Sequence, residues 1–387
     1  MDATTFPSVE LLTQWRRDFH RHPETAFEEF RTSEIVAERL RQWGLEVTTG
    51  IAGTGVVGTL RGSMGAGRNI GLRADMDALH VHEKNDFEHA SSHQGRMHAC
   101  GHDGHTTMLL GAAQALSANP DFYGTIHFIF QPAEENEGGA RVMIEEGLFE
   151  RFPVDAVYAL HNWPGLAAGE AAVHSGPVMA AFDIFDLTLK GSGAHAAMPY
   201  LGKDTLLISC QLVSQLASLI SREFSAHQPA VFTVTSFNAG DTYNVMPQEV
   251  RLRGTVRCFD MQQRAQIEKR FNEYISAYAQ LHDIEATLDY RVSYPATINA
   301  LSHVDECAAV LADILGPQNV HRDLAPSMAS EDFSFMSQNV PGVYIWLGNG
   351  EDSASLHNPS YDFNDGILEN GVKYFVELSR RLLAEPA

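Results

Sequence analysis

The chain has 387 residues, 44% of them hydrophobic and 20% charged, which suits two domains with ordinary apolar cores. Acidic side chains outnumber basic ones 49 to 27, for a formal net charge of -22 at pH 7. Such an excess repels phosphate backbones and anionic lipid, so neither nucleic acid nor a membrane is an expected partner.

Four cysteines, Cys100, Cys210, Cys258 and Cys307, are too few for a disulfide framework in a chain this long. The last three have apolar sequence neighbours and are expected in the core. Residues 1–7 lack the basic stretch and apolar core of a signal peptide. No apolar run reaches the roughly 20 residues that span a bilayer. A cytoplasmic location is therefore expected.

In chain order, residues 8–45 read as amphipathic helix interrupted near His22-Pro23-Glu24, because proline ends the first run. Glycine-bounded apolar runs at 56–60 and 69–74 predict strands. Residues 106–116, apolar with small side chains, suit a buried helix. A strand over 124–130 stops at Gln131-Pro132, and 154–160 predicts another. Strands alternating with helices predict an α/β sheet, whose strand ends are the usual place for a site. The middle changes rhythm: strand 181–190, helix 203–223, strands 230–238 and 248–258, helix 261–281, strand 283–293. That βαββαβ order is the ferredoxin-like pattern. After Pro295 come helix 303–315, a strand near 342–347 and a helix from about 365 onward. The expected architecture is one discontinuous α/β domain, residues 1–179 and 295–387, with a mixed sheet flanked by helices. Residues 180–294 form an inserted α+β domain.

The densest chemical signal is His98-Ala99-Cys100-Gly101-His102-Asp103-Gly104-His105. Thiolate and imidazole are good ligands for zinc-like ions, and Cys-x-His stands here between a loop and a buried helix. A cluster of loop histidines that is only polar surface would look the same. A second signal, Gln131-Pro132-Ala133-Glu134-Glu135-Asn136-Glu137, directly follows a strand. Adjacent acids point in different directions, so one can bind metal while its neighbour faces a substrate. Glu137 reads instead as part of an acidic turn before the next helix. His161 and His357 each follow an apolar residue and precede a proline-containing turn. Singly, such histidines are usually hydrogen-bonded structural residues. Beside Cys-x-His and Glu-Glu they give the donor count that two metals require.

This combination resembles the di-metal peptidase family that contains aminoacylases and carboxypeptidases, and within it the branch of hippurate hydrolases and auxin-conjugate hydrolases. The likeness runs from Phe19-His20-Arg21-His22-Pro23-Glu24 through Leu72-Arg73-Ala74-Asp75-Met76-Asp77-Ala78-Leu79 and Ser330-Glu331-Asp332-Phe333 to Asp362-Phe363-Asn364-Asp365. The resemblance implies two divalent ions (zinc, manganese, cobalt or nickel) bridged by Cys100. Glu135 and His357 would complete one ion, His102 and His161 the other. Glu134 would be the general base, and Asp77 would orient a ligand from behind. Asp75 stands where the wider family has a metal histidine, and its role stays open.

The inserted domain resembles the family's lid and dimerisation domain. Its Lys190-Gly191-Ser192-Gly193-Ala194-His195 stretch implies an oxyanion contact from His195, reaching the partner subunit of a homodimer or homotetramer. Asn244 and Arg257 match lid positions that hold the substrate carboxylate, although an arginine on a strand equally reads as a solvated face residue. Two positions depart from the branch: His80 replaces a usual proline, and Tyr200 a common histidine. Both bear on substrate preference. The implied reaction is hydrolysis of an N-acyl-L-amino acid. Alternatives are a dipeptidase, an aminobenzoyl-glutamate-type aryl-amide hydrolase, or a metal-dependent binding protein without catalysis.

Overall fold

The computed structural model describes residues 6–135 and 137–386. The reading of residues 1–7 as no signal peptide therefore falls mostly outside the described residues. The chain divides into two compact units: Met1–Gly176 with Ile298–Ala325 and Asp332–Ala387, and Pro177–Thr297 with Pro326–Glu331. The segment Pro326–Glu331 carries no sequence pattern that separates it from the larger unit, yet it groups with the smaller one.

The larger unit is built on an eight-stranded mixed sheet. Its order is Glu46–Ile51, Gly55–Arg61, Thr125–Gln131, Asn69–Asp75, Ala156–Pro164, Gly342–Gly350, Ala171–Ala172, Val320–His321. Four neighbouring strands in the middle, Thr125–Gln131, Asn69–Asp75, Ala156–Pro164 and Gly342–Gly350, run parallel. Thr125–Gln131 is buried along its whole length. Such strands read as continuous apolar runs because helices cover both faces. The Glu46–Ile51 strand is not apparent in the sequence because its Glu-Val-Thr-Thr run lies at a sheet edge with no residue fully buried. Three short helices, Gly139–Glu145, Leu148–Arg151 and Phe333–Asn339, are too brief to show a period.

The helix His102–Ala118 is buried on nearly every face, and helices Val9–Arg21 and Leu368–Leu382 pack against it. Its polar start is held by a buried charge network. The fully buried Arg16 guanidinium donates to Asp365 at 2.6 Å and Asp362 at 3.0 Å and lies 3.6 Å from Asp103. His20 Nδ1 lies 2.8 Å from Asp103 Oδ2 and its Nε2 lies 3.2 Å from Glu83 Oε1. Two flanking carboxylates suit a protonated ring donating at both ends. Burial alone would lower the His20 pKa, but Asp103 and Glu83 outweigh it and lift it to about 9.

Because that value lies above the ordinary 6.5, the stabilisation is complete below about pH 6.5 and is lost as pH rises through about 9. The stability advantage of the parent over His20→Asn is expected to shrink by on the order of 3 kcal/mol between about pH 6 and pH 10. Urea unfolding at several pH values measures it; a gap independent of pH would show that His20 folds uncharged.

The smaller unit has a four-stranded antiparallel sheet in the order Ala230–Ala239, Glu249–Cys258, Ala181–Lys190, Glu285–Tyr294. Helices Thr205–Glu223 and Met261–His282 supply the two α elements of the expected βαββαβ order. Alternate residues of Ala181–Lys190 are buried, and Phe185 and Leu187 pack with Leu212 and Phe271 of the helices. Cys258 and Cys307 are buried, as their apolar setting implies, but Cys210 is exposed. Its helix buries Ile208, Leu212, Leu216 and Leu219, a stripe that leaves position 210 outside. No helix among the described residues is long and apolar enough to cross a membrane.

Candidate metal centre

The parallel strands of the larger unit deliver most of the implied site residues from their carboxyl ends, where open α/β sheets place ligands. Asp75 ends Asn69–Asp75 and Asp77 follows it; Glu134 and Glu135 follow Thr125–Gln131; His161 lies near the end of Ala156–Pro164; His357 follows Gly342–Gly350. Cys100 comes from the other direction, just before the helix His102–Ala118. Gly101 between them has φ 94°, and a Cβ there would lie 2.1 Å from Asn162 Oδ1. Only glycine fits, and the turn it makes presents Cys100 and His102 to one cleft.

Cys100, His102 and His161 bring one donor atom each within 4.8 Å of one another, and so do Cys100, Glu135 and His357. Cys100 belongs to both groups. Its Sγ is 3.5 Å from His161 Nε2, and Glu135 Oε1 is 3.0 Å from His357 Nε2. His102, Glu134 and Glu135 converge as closely, one atom of each within 4.8 Å of the others, so the base candidate stands beside the donors. Glu134 is 6% exposed. Glu137, read as a turn residue, is exposed.

Backbone acceptors orient the two imidazoles. His102 Nδ1 lies 2.9 Å from the Asp77 carbonyl oxygen and His161 Nδ1 2.6 Å from that of Asn162. A carbonyl only accepts, so both Nδ1 atoms donate, which leaves Nε2 as the nitrogen of each ring that would face a metal. His102 Nε2 is buried with no hydrogen-bond partner. Burying a polar nitrogen unmatched costs about 1–3 kcal/mol, and a metal ion taking the place of its proton would remove the cost. The thiol, imidazole and carboxylate donors fit divalent metal by their chemistry as well.

Charge supports the same fit. Burial raises the Cys100 pKa, and Glu135, Glu134 and Asp75 raise it further, well above the usual thiol range. Burial would depress His102, but Asp75, Asp77 and Glu135 carry it up to about 10. His161 is pushed far down by burial and by His105. The pocket thus holds an excess of negative charge, which bound dications would compensate while favouring the thiolate.

Asp75, His102 and His105 form a further compact group, but both oxygens of the Asp75 carboxylate already accept hydrogen bonds. Its Oδ2 accepts from Arg73 at 2.7 Å and its Oδ1 from His105 Nδ1 at 2.6 Å. Burial would raise its pKa; His102, Arg73 and His105 outweigh that and hold it well below the usual carboxylate range. His105 Nε2 lies 2.8 Å from Asn162 Oδ1 and 3.0 Å from the Asn162 backbone nitrogen, and Asn162 Nδ2 donates to the Tyr361 hydroxyl at 2.5 Å. This buried chain braces the floor beneath His161 and Gly101. Arg73 and His105 stand inside motifs that the sequence singles out, but the sequence assigns neither a role. A lone arginine inside the apolar run Gly71-Leu72-Arg73-Ala74 is the available signal, since a fully buried strand carries a charge only where a partner waits.

Asp77 accepts the backbone N–H of Glu134 at 3.0 Å and of Glu135 at 2.9 Å, one on each oxygen, and so fixes the loop from which both acids diverge. Two residues around the cleft sit in the left-handed region, Ala133 at φ 53° and His357 at φ 64°. Each costs about 1–2 kcal/mol for a side chain with a Cβ, and such strain concentrates at functional sites. The His357 ring is half exposed, and its backbone N–H donates to Ala99 O at 2.7 Å.

In the smaller unit, the exposed His195 pairs across a short ladder with Val245, the neighbour of Asn244. His195 Nδ1 accepts from the Ala197 N–H at 3.1 Å, which leaves the ring proton on Nε2. Arg257 is at the opposite end of the Glu249–Cys258 strand from Asn244. It lies over the Phe182 ring and donates to Met328 O and Ser330 Oγ, so it is not simply a solvated face residue. Tyr200 is 80% exposed.

The family model for peptidase family M20/M25/M40 matches residues 71–381. The chain belongs to this family. Among its relatives, a hippurate hydrolase of Campylobacter jejuni is 38% identical over 95% of each chain. An N-acetyl-L-cysteine deacetylase of Bacillus subtilis is 37% identical over 95% of this chain and 87% of its own. A crystal structure described as a dinuclear metal-binding peptidase of the M20 family, also from Bacillus subtilis, has a TM-score of 0.84 at 31% identity. It covers 97% of this chain and 98% of that one. The candidate metal-binding groups of this M20 protein therefore occur in a family where binding of two metals is described.

Proposed function

We propose that this M20 protein is a metal-dependent amidohydrolase that cleaves N-acyl-L-amino acids, of N-acetyl or N-benzoyl type, to a carboxylate and a free amino acid. The observation that carries this reading is that Cys100 is common to two donor groups, with His102 and His161 on one side and Glu135 and His357 on the other. Relatives named for hippurate and N-acetyl-L-cysteine support the substrate class.

Two divalent ions bound there would supply an acidified water and a polarised amide carbonyl. Zinc, manganese, cobalt and nickel all suit the mixed S/N/O donors, which do not select among them. Glu134 takes the proton of the attacking water and delivers it to the leaving nitrogen. Asp77 keeps Glu134 and Glu135 pointing apart, so one acts as base while the other stays with the donors. His195, with its proton on Nε2, donates to the developing oxyanion; of the two carboxylate candidates, Asn244 lies beside His195 across the short ladder, whereas Arg257 sits a strand's length away and already donates to Met328 and Ser330. A homodimer or homotetramer in the cytoplasm is the proposed working form.

The test is a substrate panel on metal-loaded protein: N-acetyl and N-benzoyl amino acids, dipeptides and aminobenzoyl-glutamate, with released amino acid and acid quantified. N-acyl amino acids are expected to give the highest kcat/KM. A preference for dipeptides or for the aryl amide would move the assignment to that class. On the same panel, His195→Ala should lower kcat by about 10²–10³-fold with KM little changed. Equal effects on both parameters would take His195 away from the oxyanion.

A further inference from the structure

Glu29 lies outside every group described so far. It caps the start of the helix Phe30–Gln42 and is completely buried. Its side chain does not close that helix end but reaches two other segments. Oε1 accepts from the backbone N–H of Ala133 at 2.9 Å and of Phe27 at 3.1 Å, and Oε2 accepts from Thr54 Oγ1 at 2.5 Å. Ala133 is the strained residue immediately before Glu134 and Glu135.

The other side of Ala133 is clamped as well. Gly139 N–H donates to Ala133 O at 2.9 Å, and a Cβ on Gly139 would lie 1.8 Å from Pro132 O, so the loop lies hard against the next helix. With its N–H held by Glu29 and its carbonyl held by Gly139, Ala133 has no room to leave the left-handed region. That conformation aims the next two N–H groups at the Asp77 carboxylate.

We propose that Glu29 is a positioning residue: by accepting the Ala133 N–H it holds this strained hinge and thereby sets the directions of Glu134 and Glu135. The inference rests on the roles given to those two acids above. It is a hydrogen-bonding role rather than a charge role, because all three partners of Glu29 are donors that an amide oxygen and a rotated hydroxyl can also satisfy. Burial, followed by the nearby Asp77 charge, raises the Glu29 pKa to about 7, which agrees with a side chain whose charge is dispensable.

Four proteins test it: the parent, Glu29→Gln, Glu29→Ala and the double variant Glu29→Ala/Ala133→Gly. Glu29→Ala should lower kcat by about 10- to 100-fold with KM changed by less than about threefold. It should also speed amide hydrogen exchange at residues 133–135 in metal-free protein. Glu29→Gln should keep both near parental values. Glycine adopts a positive φ without steric cost, so Ala133→Gly should restore part of the kcat lost in Glu29→Ala.

A purely structural Glu29 would lower stability without a kcat-selective loss and without rescue by glycine at 133; that result overturns the proposal. So does a Glu29→Gln variant as impaired as Glu29→Ala, which would make the charge essential. If Glu29→Ala fails to fold, Thr54→Val removes only the Oε2 bond. Unchanged exchange and kcat in that variant together with impaired Glu29→Gln would again reject the hydrogen-bonding role. Exchange is read without metal or substrate, so it still tests the positioning of this loop if the substrate class is wrong.

Discussion

Glu134→Gln is expected to lower kcat by about 10²–10⁴-fold while KM stays within about threefold. Glutamine keeps the size of the side chain and its place in a loop fixed by Asp77, but it cannot take a proton from water. Glu134 contributes to neither of the two groups that share Cys100, so the variant should still load metal in full. Loss of turnover with intact metal content is the signature of a missing base. Parental activity would reject the assignment and favour a binding protein that shares this fold. Equal loss of metal and activity would make Glu134 a donor.

Cys100→Ala should have an effect at least as large. Its sulfur belongs to both donor groups, so one substitution removes a ligand from each. Turnover should fall by about 10³-fold or more, since the ions supply several kcal/mol of the barrier reduction. Metal content should fall from two ions towards none, whereas His161→Ala should weaken one ion selectively. Chelation of the parent should abolish turnover, with zinc, manganese, cobalt and nickel restoring it unequally. Full activity after exhaustive dialysis against chelator, verified by elemental analysis, would reject metal dependence. Retention of both ions in Cys100→Ala would reject the shared thiolate.

Much of this is legible in the sequence because the relevant patterns are local. Period-two burial over Ala181–Lys190 and the apolar Thr125–Gln131 run announce their strands, and the Cys100-Gly101-His102 triplet announces a ligand turn. His161 and His357 carry no such local mark. They gain meaning only as members of a set, and the structure places both beside Cys100 or Glu135. The roles of Arg73, His105 and Glu29 stay hidden because partners of each lie elsewhere in the chain: Arg73 meets Asp332 across 259 residues, and Glu29 meets Ala133 across 104. Composition cannot reveal a hydrogen bond of that span. Cys210 departs from expectation for a related reason, since apolar neighbours in sequence do not decide which side of a helix faces out.

His357 is attached to the cleft by a backbone hydrogen bond to Ala99 and by its pairing with Glu135. Every other candidate donor precedes residue 162 in the chain. During synthesis, then, a nascent chain carries an unfinished cavity until a segment far downstream emerges from the ribosome and closes it. If the proposed ions bind here, any taken up before that moment would meet an incomplete donor set and exchange more readily, so the choice of ion would be settled late in translation.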